Sequence, residues 1–427
     1  MLSLFQLLAG LLTVTATFAW LNHRVLRLPD SIGLLVMGLG ASLTLIAIEI
    51  VFPDTHLYAT LATGLQQIDF YEAVMHGMLA FLLFAGALHV DFGRLRRRAP
   101  VVGAFATLGV ALSSLIIAAG LWLGTEALGM PIGFAWSLVF GALIAPTDPV
   151  AVLSTLRSVN VPEKLETDMT GEALFNDGVA VVLFTITLQM AAGSEGASRF
   201  AHIAQMLVLE AGGGALLGLA TGYVAYRAMR AIDDYSIEVM ISLALVTATY
   251  ALADAFHMSG PIAVVVAGVL IGNRGVACAM SDRTRRYIFG FWTLVDDILN
   301  AVLFLLIGLE VLVLNFNPAM AWVGLIAVPL VLVGRFISVA VSVSLLARWQ
   351  SFAKGTLAVL TWGGVRGGIS VALALSLTGT PARSPLLAAT YAVVLFTILV
   401  QGLTLGWVVR KTAVVQEGGP RGGPSDG

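Results

Sequence analysis

Long apolar runs separated by short polar stretches make up most of this chain. They fall at about 2–21, 31–51, 74–90, 101–123, 134–156, 171–192, 202–226, 237–256, 259–272, 287–314, 319–347, 355–376 and 386–409. Most reach the roughly 20 residues that a helix needs to cross about 30 Å of hydrocarbon. The pattern therefore predicts an all-α polytopic membrane protein with about 13 transmembrane helices over residues 1–410. The ninth run is short and follows Gly260-Pro261, so its start is the loosest boundary. Residues 411–427 are rich in Gly and Pro and too few to bury a core, so a short disordered tail is expected there.

Composition agrees. Charged residues make up 11% of the chain and hydrophobic ones 58%, with mean hydropathy +0.93. A soluble domain carries roughly 25% charged residues, so a chain this poor in charge must face lipid over most of its surface. The single cysteine, Cys278, permits no intrachain disulfide. The N-terminus lacks the basic region of a cleaved signal and reads as the start of a retained span.

Loop charges give an independent check. With the N-terminus outside, inside loops receive Arg24, Arg27, Arg94, Arg96–Arg98, Arg157, Lys164, Arg227, Arg230, Arg274, Arg283, Arg285, Arg286, Arg348, Lys354, Arg410, Lys411 and Arg421. Outside loops receive only Arg199 and Arg383. One miscounted span would scramble this split, so an odd number of spans, N-out and C-in, is expected. The localisation this implies is a bacterial inner membrane. Arg335 and Arg366 remain, both inside apolar runs.

Phosphate loops, zinc spacings and nucleophile elbows are missing as sequence patterns, so no enzyme, cofactor or nucleic-acid partner is expected. Ionisable side chains inside spans are costly and mark function by default. Four places carry them. Pro146-Thr147-Asp148-Pro149 interrupts the fifth span, because each proline lacks an N–H and clashes with the preceding turn. Broken backbone at that depth must line a cavity or lie buried in protein, which sets Thr147 and Asp148 beside freed carbonyls. A plain proline kink with a capping Asp is the competing reading.

Glu172 through Asp177 begin the sixth span. At about 100° per residue, Asn176 lies near the face of Glu172, whereas Asp177 is rotated by about 140°. One acid should face an ion and the other a neighbouring helix. A frayed helix start is the alternative for Glu172. Arg335 in the eleventh span needs a buried anion, for which Glu172 is the natural candidate, or else snorkels to a headgroup. Gly363-Gly364-Val365-Arg366-Gly367-Gly368 loosens the twelfth span. This second interruption lies seven spans after the first, so the two broken helices run in opposite directions. Opposed broken helices point to inverted repeats with a midplane site, where Arg366 would offset helix-end carbonyls and Asp148. Among the remaining acids, Glu49, Asp254 and Glu310 read as outer-interface residues, and Asp233, Asp234 and Glu238 as inner ones. Asp296-Asp297 read as a solvated helix start rather than a funnel lining, and His76 and His89 as interfacial.

At these motifs the sequence resembles the monovalent cation:proton antiporter family, in its NhaP-type sodium/proton exchanger branch. Ser259-Gly260-Pro261 through Val265 and Phe304 through Glu310 extend the match. The resemblance implies a core bundle of spans 4–6 and 11–13, a dimerisation bundle, a homodimer and elevator-like alternating access. It implies Asp177 as the carboxylate that binds Na⁺ or H⁺, with Asn176 orienting the site and Thr147 and Asp148 supporting it. Glu172 and Arg335 would form a structural ion pair, with Arg366 at the helix crossing. Two positions depart from the family pattern. Ala173 stands where the family often has Ser, and Phe84-Ala85-Gly86 where it often has an acid.

One carboxylate can carry either a proton or a dehydrated cation, since binding one removes the charge that attracts the other. If only a neutralised Asp177 crosses the barrier, exchange is electroneutral at one proton per cation, and Asp177 should titrate near cytoplasmic pH. The expected activity is thus secondary antiport of Na⁺, with Li⁺ and K⁺ as further cations, against H⁺, serving pH homeostasis. A K⁺/H⁺ antiporter of the same fold is the nearest alternative, and an intramembrane aspartyl protease using Asp148 and Asp177 a more distant one.

Overall fold

The computed structural model describes residues 4–52, 69–148, 161–193, 198–313 and 318–412, and every ordered element among them is helical. The first six are α1 (Phe5–Leu26), α2 (Asp30–Val51), α3 (Phe70–Leu88), α4 (Phe92–Ala127), α5 (Phe134–Leu143) and α6 (Glu163–Ala191). They continue with α7 (Ser198–Met229), α8 (Tyr235–Ala255), α9 (Gly260–Gly275), α10 (Asp282–Glu310) and α11 (Pro318–Leu346). The last are the short α12 (Thr356–Trp362) and α13 (Gly368–Leu375), followed by α14 (Arg383–Thr412). Each apolar run thus meets helix. Nine of the helices among the described residues are long and apolar enough to cross a bilayer. Pro149, the rest of the fifth run, Arg157, the side chain of Arg199 and residues 413–427 lie outside the described residues.

Several helices start earlier than hydropathy places them. α4 begins at Phe92 rather than near 101, with Asp91 accepting a hydrogen bond from Arg94 N at 2.9 Å. α6 begins at Glu163 rather than 171, and α10 at Asp282, where Ser281 Oγ accepts from Thr284 N at 3.3 Å. The reason is physical. Hydropathy marks where lipid begins, whereas capping and backbone hydrogen bonds mark where the helix begins. Glu172 and Asp177 consequently sit in the third and fifth turns of α6 and not at a frayed end.

Large apolar side chains cover the exterior, among them Phe5 (80% exposed), Leu216 (69%) and Val224 (68%). In water such a surface would aggregate, and in lipid it is solvated. With lipid outside, helices adhere through close packing and hydrogen bonds rather than through apolar burial. Gly38 of α2 and Gly308 of α10 show this. A Cβ at Gly308 would come within 2.8 Å of Leu35 O, and Ser42 Oγ donates to Gly308 O at 2.9 Å. Trp292 of α10 is fully buried against Phe84 of α3, with ring centroids 4.6 Å apart, and donates to Ser242 Oγ of α8 at 3.0 Å.

One loop arginine of the sequence reading proves to be internal. Arg98 is 6% exposed and forms a bidentate pair with Asp168 of α6, its Nε donating to Oδ1 at 2.7 Å. Its Nη1 also donates to Gln350 Oε1 and Ser351 O at 3.1 and 3.2 Å, and its guanidinium lies over the Phe352 ring. This ties α4, α6 and the α11–α12 connection together at the arginine-rich end. Removing one partner leaves a buried charge unmet, so Asp168→Ala should destabilise the fold by about 3–5 kcal/mol. A clear drop in the melting temperature of the detergent-solubilised variant is expected, and an unchanged melt would contradict the structural role.

Candidate functional site

The two helix breaks lie side by side. α5 ends at Leu143, and the chain through Ala145, Pro146, Thr147 and Asp148 is not helical. Its counterpart runs from Gly363 to Gly367 between α12 and α13. Asp148 N donates to Val365 O at 2.8 Å, so one break satisfies part of the other. Arg366 is fully buried and donates from Nη1 to Ala145 O at 2.5 Å and Pro146 O at 3.0 Å. These carbonyls lost their helical donors at the break, and the guanidinium N–H groups meet them. Arg366 N in turn donates to Thr397 Oγ1 of α14 at 3.1 Å. A side chain at Gly367 would run into the Asp148 carboxylate, so this position holds glycine for close approach.

α6 brings the remaining residues to the crossing. Glu172 is 2% exposed and pairs bidentately with Arg335 of α11, with Nη2 to Oε2 at 2.9 Å. Arg335 Nε donates to Leu360 O of α12 at 3.1 Å. Asn176 Nδ2 donates to Thr147 Oγ1 at 2.7 Å. Asp177, 5% exposed, turns away from this pair as its position on the helix requires. No side-chain or backbone donor among the described residues reaches its carboxylate. Thr147, Asp148, Asn176, Asp177, Glu172, Arg335 and Arg366 therefore all gather at one crossing, with Asp177 facing open space.

That space is a cavity of about 220 Å³ whose wall includes Asp177, Thr147, Asp148, Ala173, Gly367 and Ser370. Of the two departures from the family pattern, Ala173 lines this cavity, and in Phe84-Ala85-Gly86 only Gly86 does. Asp296, Asp297 and Asn300 of α10 complete the polar wall. This corrects the sequence reading of Asp296-Asp297 as a solvated helix start. α10 begins fourteen residues earlier, at Asp282, so these acids sit deep along the helix. Asn300 is 4% exposed and donates to Asp296 O and Oδ1 at 2.9 and 3.0 Å, while Asp297 is exposed and lies within electrostatic reach of Asp30 at the start of α2. The apolar run at 287–314 already contained both acids; what the sequence lacked was a signal that this part of α10 lines a cavity.

A second cavity of about 150 Å³ lies further along α6, lined by Val181, Val182 and Thr185 with Glu210, Tyr250, Asp254 and Pro261. Residues 173, 177 and 181 are one turn apart on one face, so a stripe of α6 runs from one cavity to the other. Between them α6 is pressed against α9, where a Cβ at Gly178 would meet Ile262 at 2.9 Å. Asp177 thus borders the first cavity, which meets α6 nearer its Glu163 end than the second does, and is separated from the second by about one helical turn.

Two helix breaks packed side by side next to a buried carboxylate, in a multi-pass bundle coated with apolar side chains, define a membrane ion-transporter fold. The sodium/hydrogen exchanger transmembrane family matches residues 12–411, and the chain belongs to that family. It is 43% identical over 413 residues to the Na(+)/H(+) antiporter NhaP of Pseudomonas aeruginosa, covering 96% of this chain and 97% of that one. It is 37% identical over 397 residues to the Na(+)/H(+) antiporter NhaH of Halobacillus aidingensis, covering 91% and 93%. The solved sodium proton antiporter MjNhaP1 from Methanocaldococcus jannaschii, at pH 8, shares the fold, with TM-score 0.72, 19% identity and coverage of 96% of this chain and 99% of that one.

The fit of Gly367 against Asp148 can be tested directly. Gly367→Ala should push the carboxylate from the cavity wall and lower cation-driven proton movement in vesicles by about tenfold to a hundredfold. Full activity with normal yield would show that the contact does not matter.

Proposed function

We propose that the chain exchanges Na⁺ for H⁺ across the membrane, one for one and without net charge, by competition at Asp177. A single observation carries this reading. Asp177 is a buried carboxylate that borders one cavity together with both helix breaks, and no donor among the described residues reaches it. A carboxylate so placed attracts a cation or a proton, and either one neutralises it. Crossing the barrier with Asp177 ionised and empty would cost several kcal/mol, which suppresses leak. Alternation between the two sides then couples the two ions without a separate gate.

In this reading Asn176 and Thr147 hold the α6 wall against the break, and Asp148 adds negative potential beside the ion. Arg366 stabilises the crossing, and the Glu172–Arg335 pair locks α6 to α11 so that they travel together. Spans 4–6 and 11–13 form the moving core, and the other spans form a stationary dimerisation bundle in a homodimer. The present arrangement corresponds to a site accessible from the arginine-rich, inner side and sealed from the outer cavity by the Gly178–Ile262 contact. The outer cavity becomes the exit when α6 slides past α9. A cell inner membrane is the setting that the arginine asymmetry supports.

Na⁺ is the proposed cation because the relatives matched over nearly the whole chain are named as Na(+)/H(+) antiporters. K⁺ remains the second reading, since no serine hydroxyl stands at Ala173 in the cavity wall and no acid in Phe84-Ala85-Gly86. Peptide hydrolysis at Asp148 and Asp177 finds no support in these relatives.

Two outcomes are expected. In everted vesicles Asp177→Ala should abolish Na⁺-driven proton movement read by a pH dye, and imposing a membrane potential on the parent protein should leave the rate unchanged. Retained exchange in the variant would overturn the assignment of Asp177, and a potential-dependent rate would overturn the electroneutral stoichiometry. In a Cys278→Ser background, Thr185→Cys should react with a membrane-impermeant thiol reagent in right-side-out vesicles and not in everted ones. The opposite labelling would reverse the assigned sidedness.

A further inference from the structure

We propose that Ser370 supplies a neutral oxygen ligand to the transported cation and sets how strongly that cation competes with the proton. The inference rests on the exchange reading above and goes further, to the residue that determines cation affinity.

Ser370 lies in the first turn of α13, on the wall of the cavity that Asp177, Asp148 and Thr147 also line. The residue is 1% exposed, and its hydroxyl has no hydrogen-bond partner among the described residues. A serine inside a helix ordinarily returns its proton to the carbonyl four residues back. Here that carbonyl belongs to Arg366, which stands in the non-helical break, so the usual partner is out of register. A buried hydroxyl left unmet costs about 1–3 kcal/mol, and in native proteins such groups are met by a ligand, an ion or water.

The other neutral polar side chains of this wall are engaged. Thr147 Oγ1 receives the Asn176 amide, and Asn300 is held by Asp296. Ser370 is the uncommitted one. It is also chemically suited to the task. A hard monovalent cation prefers several oxygens, and one carboxylate supplies too few. A hydroxyl can turn its lone pairs toward a cation that enters the cavity. A proton needs only one carboxylate oxygen. Loss of Ser370 should therefore weaken the cation and leave the proton nearly untouched.

Ala173 offers the complementary test. It lines the same cavity one helical turn before Asp177, on nearly the same face. A hydroxyl introduced there enters the cavity from α6 instead of α13 and can replace the one removed.

The experiment uses the full chain reconstituted in proteoliposomes, with Na⁺-driven proton movement recorded across Na⁺ concentrations at several pH values. Ser370→Ala should raise half-saturating Na⁺ by about five- to tenfold, with the maximal rate retained and the proton dependence unmoved. Ser370→Ala combined with Ala173→Ser should recover most of that loss. A Na⁺-dependent thermal shift of the purified proteins reads binding independently of transport and should weaken in parallel. Unchanged half-saturation in Ser370→Ala, or a pH profile displaced as much as the Na⁺ dependence, would overturn the inference. If the parent protein itself moves no protons on Na⁺ addition, the exchange reading fails instead, so the two failures are distinguishable.

Discussion

A charge or an unpaired backbone group at bilayer depth must be met from within the protein, and the rest of this structure follows from that constraint. Two prolines flank Thr147-Asp148 in the sequence, and the described part of this segment leaves the helix with carbonyls that no helical N–H reaches. Four glycines loosen the opposing span. Neither break could stand alone in lipid. Together they satisfy one another through the Asp148–Val365 bond and through Arg366, which is buried for the sake of the Ala145 and Pro146 carbonyls. The crossing is therefore one object built from two segments more than 200 residues apart.

The same logic separates residues that fix geometry from the one residue left available to an ion. Glu172 with Arg335, and Asp168 with Arg98, are bidentate pairs on α6, four residues apart and so on one face. Both bind α6 to helices at its back. Such pairs gain little net stability over well-packed apolar groups, but removing either partner is costly, which makes them effective at fixing one arrangement. Asp177, five residues past Glu172, projects to the other side and borders the cavity. In the proposed mechanism α6 thus works as a rigid arm. Its back is tied to the core, and its front presents a carboxylate between two cavities.

Much of this was legible without coordinates, for identifiable reasons. Apolar runs long enough to cross lipid have few alternative structures, so helices were expected wherever they were found. The angular separation of Glu172 and Asp177 follows from helix periodicity alone. Arg98 was misread because it lies on a stretch polar enough to resemble a loop, and only the true helix start at Phe92 puts it inside. Asp296-Asp297 already fell within the apolar run at 287–314, and what the sequence did not show is that α10 lines a cavity there. Local composition does not report depth when a helix extends beyond its apolar segment.

The sequence by itself determined an all-helical membrane protein, its two interrupted spans and the short list of charges that had to find partners, because lipid leaves a chain no other way to satisfy its backbone. Only the tertiary structure decided that Arg98 pairs with Asp168, that a cavity lies beside Asp177, and that acids of α10 and a serine of α13 share it. Those are facts about contacts between distant segments, set by how helices pack, and no local pattern encodes them.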